Sequence, residues 1–253
     1  MHTQIKLLTL MLSTLLVATA CKPEAAQAPM DETPVATADK PADDSMAAND
    51  TMTQAGPAKY QVVFTPLWTK ANFPFEYPDT SLIHKPHFSG LIGTAHNASY
   101  SLFKDGVTPT PGLERLSEMG KHDPLDAEIN AAIAAGNALA LSESGPLKDF
   151  SETVSTEVAV DDAHPMVSLV AMIAPSPDWF AGVSDVSLID NGTWTANKTV
   201  DVYAWDSGGD DGATYLADDV DTSPKKPSQA SADPHFMKDG NVQPVGRLTF
   251  TKL

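Results

Sequence analysis

The chain has a single cysteine and few basic residues for its length. Cys21 is the one cysteine among 253 residues, so an intramolecular disulfide is excluded and the fold must depend on its core and any bound ions. Lys and Arg total 16 against 33 Asp and Glu, which gives a formal net charge of −17. Nucleic-acid binding requires basic patches that neutralise phosphates, so this charge argues against nucleic acid as a partner.

Signatures of the common catalytic sites are also missing. The sequence has no G-x-S-x-G turn, no H-E-x-x-H, no C-x-x-C and no glycine-rich phosphate loop. His84 and His87 are three residues apart, but the intervening proline disfavours a helical face, so hydrogen-bonding roles are favoured over a zinc site. His96 or His164 could serve as a base in a metal-dependent hydrolase, yet no spacing supports one. We therefore expect a protein that is not an enzyme.

The N-terminus has the layout of an export signal. Lys6 precedes an uncharged apolar stretch over residues 7–20, which is too short to span a bilayer comfortably. The stretch ends in Ala-Thr-Ala-Cys, which resembles a bacterial lipoprotein box whose cysteine receives the lipid and becomes the new N-terminus. We predict a lipoprotein signal peptide over residues 1–20 and lipidation of Cys21, with an ordinary cleaved signal peptide as the alternative.

The residues after Cys21 indicate where the protein is held. Lys22 stands where an inner-membrane retention signal would place Asp, so an outer-membrane destination is favoured if the cell is Gram-negative. Residues 22–57 contain no aromatic residue and no apolar periodicity, and such a stretch cannot bury enough surface to offset its ordering entropy. We predict that residues 21–58 form the lipidated cysteine and a disordered tether in the cell envelope, and that residues 59–253 fold.

The folded part is predicted to be mostly β, as an antiparallel β-sandwich with a short helical insertion. Tyr60, Val62 and Phe64 alternate on one face of the first strand, and MVSLVAMIA from Met166 is a continuous apolar run suited to the middle of a sandwich. Further short strands are predicted in three stretches, VSDVSLID, TVDVYAW and the terminal VGRLTFTKL.

Helical signals are confined to one part of the domain. Thr110-Pro111 can cap and begin a helix, PGLERLSEM, that ends at Gly120. Asp123-Pro124 can begin a second helix over PLDAEINAAIAAGNALA. Its shared apolar face consists of Leu125, Ile129, Ala132 and Ile133.

An acidic glycine-rich turn suggests a cation site. Asp206 and Asp210 form a D-x-G-x-D pattern after a predicted strand, and calcium favours carboxylate oxygens from flexible loops. Asp178, in PSPDWFAGV, ends another predicted strand. Alternate loops of a sandwich cluster at one end, so these aspartates can converge, and a cation would then relieve their repulsion. Two alternatives stay open: a solvated acidic turn, and an Asp178 that only caps its own turn. A later acidic run, residues 218–221, is interpreted as a solvated loop.

Three separated blocks together resemble a known family. FSGLIGTAHNASYSLFKDG, VSLVAMIAPSPDWFAGVSDVSL and DVYAWDSGGDDG occur in order and are similar to the spondin domain, a module of secreted animal matrix proteins that also occurs in bacterial proteins. The resemblance implies a β-sandwich similar to calcium-dependent lipid-binding domains, with calcium held by Asp178, Asp206 and Asp210. The family cysteine after the SPDWF strand is replaced by Ile189-Asp190, so the animal disulfides are not expected to transfer.

The expected function is a surface-anchored, calcium-binding recognition or adhesion module. Its expected partners are the membrane, through the N-terminal lipid, and a protein or glycan ligand that the sequence does not identify. The alternative is a calcium-dependent membrane or glycan binder. Trp179 and Phe180 could form a hydrophobic tip in that case, although packing under the loops is favoured.

Overall fold

The structure is a computed structural model that describes residues 55–81, 85–145, 147 and 152–253. The predicted signal peptide, Cys21, nearly all of the predicted tether and His84 lie outside the described residues. Within the described part of the chain, no helix is long and apolar enough to cross a membrane.

The described residues contain fourteen strands, two α-helices and a short 3₁₀ helix at Pro234–Phe236. The helices are α1 (Pro111–Met119) and α2 (Leu125–Ala134). The strands are β1 (Ala58–Pro66), β2 (His87–Phe88), β3 (Ile92–His96), β4 (Ala138–Glu143), β5 (Val154–Val160), β6 (Met166–Ala174), β7 (Trp179–Ser187), β8 (Ile189–Asp190), β9 (Thr193–Trp194), β10 (Asn197–Asp206), β11 (Gln229–Ala230), β12 (Met237–Lys238), β13 (Asn241–Val242) and β14 (Gly246–Lys252).

The main strands follow the order β4-β3-β6-β7-β10-β14-β1-β5, and their pairings are antiparallel. Strand β10 turns the corner: its residues 197–202 pair with β14, and its residues 203–206 pair with β7. The two outermost strands approach one another, because the Thr156 hydroxyl of β5 donates to the Glu143 carbonyl of β4 at 2.9 Å. The predicted mostly β, antiparallel sandwich is confirmed.

The main core lies between the two halves of this curved sheet. Tyr60, Val62 and Phe64 of β1 are at most 1% exposed, as their alternation predicts, and they pack with aromatic residues such as Trp68 and Phe88. Strand β1 runs from the end of the sandwich where β14 terminates to the end where β14 begins, since Tyr60 pairs with Lys252 and Pro66 with Gly246. The chain therefore enters at the end opposite the one where β10 finishes.

A second core explains why β6 is apolar throughout. The two helices cover the outer face of β6 and β7, where Leu116, Ile129 and Phe180 pack with Val170. A strand that is buried on both faces needs apolar residues at consecutive positions, and eight of the nine β6 residues are buried.

The predicted bounds of the first helix are confirmed, whereas the second helix is shorter than predicted. The Thr110 hydroxyl accepts from the Leu113 amide at 3.2 Å, and Gly120 ends α1 in the left-handed region at φ +64°. Helix α2 ends at Ala134, and Ala138–Ala140, which were predicted to be helical, begin strand β4. Gly136, at φ +73°, marks the reversal, because this conformation suits glycine and stops a helix.

Candidate functional site

Two of the three predicted site residues lie at one edge of the sheet. Asp178 immediately precedes β7, and Asp206 is the last residue of β10. These strands pair antiparallel, with Trp179 opposite Asp206, so the start of one and the end of the other meet. The pairing brings together two loops that are almost thirty positions apart in the sequence.

The Asp178 carboxylate is buried beneath the D-x-G-x-D loop. Its Oδ2 atom accepts hydrogen bonds from the Ser207 hydroxyl at 2.8 Å, the Gly209 amide at 2.8 Å and the Asp210 amide at 3.1 Å. Asp178 is only 1% exposed, so its Oδ1 atom is shielded from water, yet this atom has no hydrogen-bond partner. The alternative that Asp178 caps its own turn is wrong, because its bonds go to the other loop; the Ser176 hydroxyl takes that role by accepting from the Trp179 amide at 3.1 Å.

The other two aspartates shape the loop around this carboxylate. Asp206 Oδ1 accepts from the Gly208 amide at 2.8 Å, and Gly208 adopts φ +84°, where a side chain would be strained. Asp210 Oδ1 accepts from the Gly212 amide at 2.5 Å, and its Oδ2 accepts from the Val220 amide at 2.6 Å. Asp210 thus closes the loop that runs from Gly212 to Val220.

Burial and mutual repulsion disfavour the charged forms of these carboxylates. Burial raises the pKa of Asp178 above its usual value. Burial, followed by the nearby Asp178 charge, raises the pKa of Asp206 to about 6. A divalent cation would reverse both effects, because its positive charge compensates for the lost hydration and for the repulsion between the carboxylates. The unpartnered Oδ1 of Asp178 fits such a cation, since a buried carboxylate oxygen otherwise lacks a donor.

A second cluster of acidic side chains lies beside the same loop, and the ammonium group of Lys225 is bonded to it. Carboxylate oxygens of Glu114, Glu118 and Asp221 lie within 4.8 Å of one another. The Lys225 ammonium is 2.7 Å from Glu114 Oε1, also bonds to Asp221, and donates to the Gly209 carbonyl at 3.0 Å. Burial, and then the Glu114 charge, raises the pKa of Glu118 to about 7. The loop is therefore anchored to α1 by a lysine.

Sequence reasoning missed this second group because its members come from distant segments. Glu114 and Glu118 share one face of α1 through their spacing of four, and this is the signal that could have identified them. Nothing in the sequence places that face next to Asp221, which was interpreted as part of a solvated loop. Ser207, the hydroxyl donor to Asp178, was also missed.

A polar cleft of about 230 Å³ opens beside the aspartates. Asp206, Asp210 and Asp233 line it together with Lys226 and Gln229. Four aspartates and one lysine are the charged residues of its lining, so the cleft has a net negative charge.

The aromatic residues behind Asp178 belong to the core. Trp179 is 3% exposed and Phe180 is fully buried, so packing under the loops is confirmed and neither residue forms a hydrophobic tip. The Trp179 ring packs against Tyr215 at 5.3 Å and Phe236 at 4.9 Å between ring centroids. These contacts make a rigid base beneath the aspartate loops.

The described histidines have structural partners. His96 Nε2 lies 2.7 Å from the Ser168 hydroxyl, but both side chains are fully buried and Nδ1 faces the Asn97 carbonyl. A substrate cannot reach this serine, which instead receives the Asp185 amide at 3.1 Å beside an irregularity in the β6–β7 pairing. His164 pairs with Asp161 at 2.8 Å, and His87 Nδ1 lies 2.7 Å from the Lys85 carbonyl.

Comparison with known proteins places this fold and loop pattern in a family. The family model described as Spondin_N matches residues 58–237, which is most of the described chain. The chain belongs to the spondin N-terminal domain family. Human Spondin-2 is 31% identical over 207 residues, which cover 78% of this chain and 62% of Spondin-2. Rat Spondin-1 is 26% identical over 213 residues, covering 78% of this chain and 26% of that protein.

The spondin domain of this chain extends beyond the matched residues. Strand β14 lies after residue 237, yet it pairs with both β1 and β10 and completes the sandwich. The chain spans about three-fifths of the length of the Spondin-2 relatives and about a quarter of Spondin-1. These relatives therefore contain further residues outside the part that matches this chain.

Proposed function

We propose that this spondin domain is a recognition or adhesion module whose loop end is ordered by one calcium ion. The observation that carries the proposal is the buried Oδ1 of Asp178, which has no hydrogen-bond partner while Oδ2 has three. A carboxylate oriented in this way by the protein presents one oxygen to a ligand. Calcium favours oxygen ligands and would supply the charge that offsets the neighbouring carboxylates.

Three residues would hold the ion, and their present contacts support that assignment. Asp178 would contribute the unpartnered Oδ1, and Asp206 a carboxylate whose raised pKa reflects repulsion and burial. Asp210 uses both oxygens to close its loop, and each oxygen keeps a further lone pair for an ion. The proposed role of calcium is structural: it stabilises the loops that present the binding surface.

We further propose that the domain acts at the cell surface, held by a lipid on Cys21 and the tether over residues 21–58. A recognition role is consistent with a sandwich that carries its longest irregular segments at one end. The buried Ser168 and His96 pair gives no support to a hydrolase, because its hydroxyl is inaccessible.

A calorimetric calcium titration of the calcium-free protein tests the proposal. We expect one binding event and a higher unfolding midpoint in calcium, since a ligand of the folded state alone stabilises by about 2.7 kcal/mol at 100 times its Kd. Asp178→Asn and Asp206→Asn should each weaken binding at least about tenfold, because each removes a charged oxygen ligand.

Asp190→Ala is the matched control, because Asp190 is an exposed aspartate of the β8–β9 hairpin. It should bind calcium like the unmodified protein. Absence of binding heat together with an unchanged midpoint in calcium would refute the calcium proposal, and equal loss in Asp190→Ala would refute the assigned residues.

A further inference from the structure

An apolar groove lies next to the aspartate loops. Residues 76–79 form one wall and residues 214–216 the other, and the space between them is about 430 Å³. Leu216, one of its lining residues, is 60% exposed, and Phe75, next to Glu76 in the sequence, is 46% exposed. A space of this size accepts one large apolar side chain.

Hydrogen bonds orient the two tyrosines that line the groove. The Tyr77 hydroxyl donates to the Trp68 carbonyl at 3.2 Å, and the Tyr215 hydroxyl donates to the His235 carbonyl at 3.1 Å. Both hydroxyl groups therefore face inward, which leaves the ring carbons toward the groove. Preformed aromatic pockets of this kind are typical of the residues that dominate binding energy in protein interfaces.

One wall of the groove depends on a proposed calcium ligand. Asp210 bonds to the amides of Gly212 and Val220, and these two bonds close the segment that carries Tyr215 and Leu216. An ion that fixes the Asp210 carboxylate would fix this wall as well. The groove is therefore placed where calcium binding can control its shape.

Charge limits what can occupy the groove. Of the described residues that line it, the charged ones are Glu76 and Asp79, and both are acidic. A second copy of this chain carries the same −17 charge, and anionic phosphates of lipids or nucleic acids would also be repelled. A protein segment with basic side chains is attracted instead, and such complementarity favours both encounter and specificity.

We infer that the groove between residues 76–79 and 214–216 binds a partner protein through a large apolar side chain flanked by Lys or Arg. The apolar side chain enters between Tyr77 and Tyr215, and the basic residues face Glu76 and Asp79. This inference deepens the proposed recognition function and depends on it in one respect, the calcium that orders Asp210.

Selection of random peptides displayed on phage, with the full chain as target in calcium, tests the inference. We expect enriched peptides that place Leu, Phe or Trp beside Lys or Arg. Leu216→Ser should weaken binding of such a synthetic peptide at least about tenfold, because an anchor contact is lost. Replacing the basic residues of the peptide by Glu should abolish binding.

Control variants separate this inference from the calcium proposal. Val107→Ser removes another half-exposed apolar side chain, outside the groove, and should leave peptide binding unchanged. Leu216→Ser should bind calcium like the unmodified protein, whereas Asp178→Asn should weaken both calcium binding and peptide binding. Peptide binding that fails in Leu216→Ser but needs no calcium would support the groove and overturn its coupling to calcium.

Three results would overturn the groove itself. These are the absence of any enriched peptide, equal peptide binding by the unmodified chain and Leu216→Ser, and enrichment of acidic peptides. Binding to vesicles of phosphatidylcholine and phosphatidylserine that Leu216→Ser abolishes would also overturn it, since the occupant would then be a lipid surface.

Discussion

Without calcium, the domain should be more stable in weak acid than at neutral pH, which is opposite to the usual behaviour of paired carboxylates. The folded state raises the pKa of Asp206 from 3.8 to about 6, so it retains a proton that the unfolded chain has already released. Raising the pH through this interval therefore lowers the free energy of unfolding. Asp178 and Glu118, whose pKa values are also raised, act in the same direction.

The size of the effect follows from the Asp206 values. The higher pKa of Asp206 in the folded state corresponds to about 3 kcal/mol in the free energy of unfolding. Because Asp206 is only partly buried, solvent screening reduces this contribution to about 1.5 kcal/mol. For a domain of this size, that loss shifts the unfolding midpoint by about 3 to 6 °C. Calcium bound at the proposed site would reverse the direction, because the ion would compete with the proton for the same oxygens.

Thermal unfolding followed by circular dichroism provides the measurement. We expect the calcium-free protein to unfold at a higher temperature at about pH 5 than at about pH 7.5, and added calcium to stabilise it only near the higher pH. Asp206→Asn should remove the Asp206 share of this pH dependence and retain the share due to Glu118. A midpoint for the calcium-free protein that rises with pH, or a calcium effect of equal size at both pH values, would refute the reasoning.

Two further predictions concern the packing of the site and of the sheet. Ser207→Ala should weaken calcium binding about fivefold in a calorimetric titration, because the buried carboxylate loses one donor, whereas Ser187→Ala on the surface should have no effect. Gly93→Ala should destabilise the domain by at least about 2 kcal/mol in urea unfolding, because its methyl group would lie 2.0 Å from a backbone carbonyl of β6. The matched Gly145→Ala variant, which has open space, should unfold like the unmodified protein.

The strands were predictable because burial on one or both faces leaves a pattern in the sequence. Tyr60, Val62 and Phe64 alternate since only one face of β1 is buried, and β6 is apolar throughout since helices cover its second face. Strand β4 was not predicted, because Ala138 and its neighbours continue the alanine-rich composition of α2. Gly136 was the available signal, and its positive φ is what separates the two elements.

Only the site residues that lie at the ends of predicted strands could be predicted from the sequence. Asp178 and Asp206 follow from two adjacent strands that meet at one edge, and the sandwich brings such ends together. The spacing of Glu114 and Glu118 places both on one face of α1, but their meeting with Lys225 depends on where α1 packs against the loop. That packing is a tertiary contact that no local pattern encodes.

Strand β1 separates the N-terminal end of the domain from the aspartate loops. Its nine residues span about 30 Å, so the chain enters the domain about that distance from the aspartate loops. The loops therefore lie at the end of the domain opposite Ala58, where the predicted tether joins. When Cys21 carries the predicted lipid, the tether over residues 21–58 lets the domain reorient, and its length sets the effective concentration at which the loops meet ligands near the membrane.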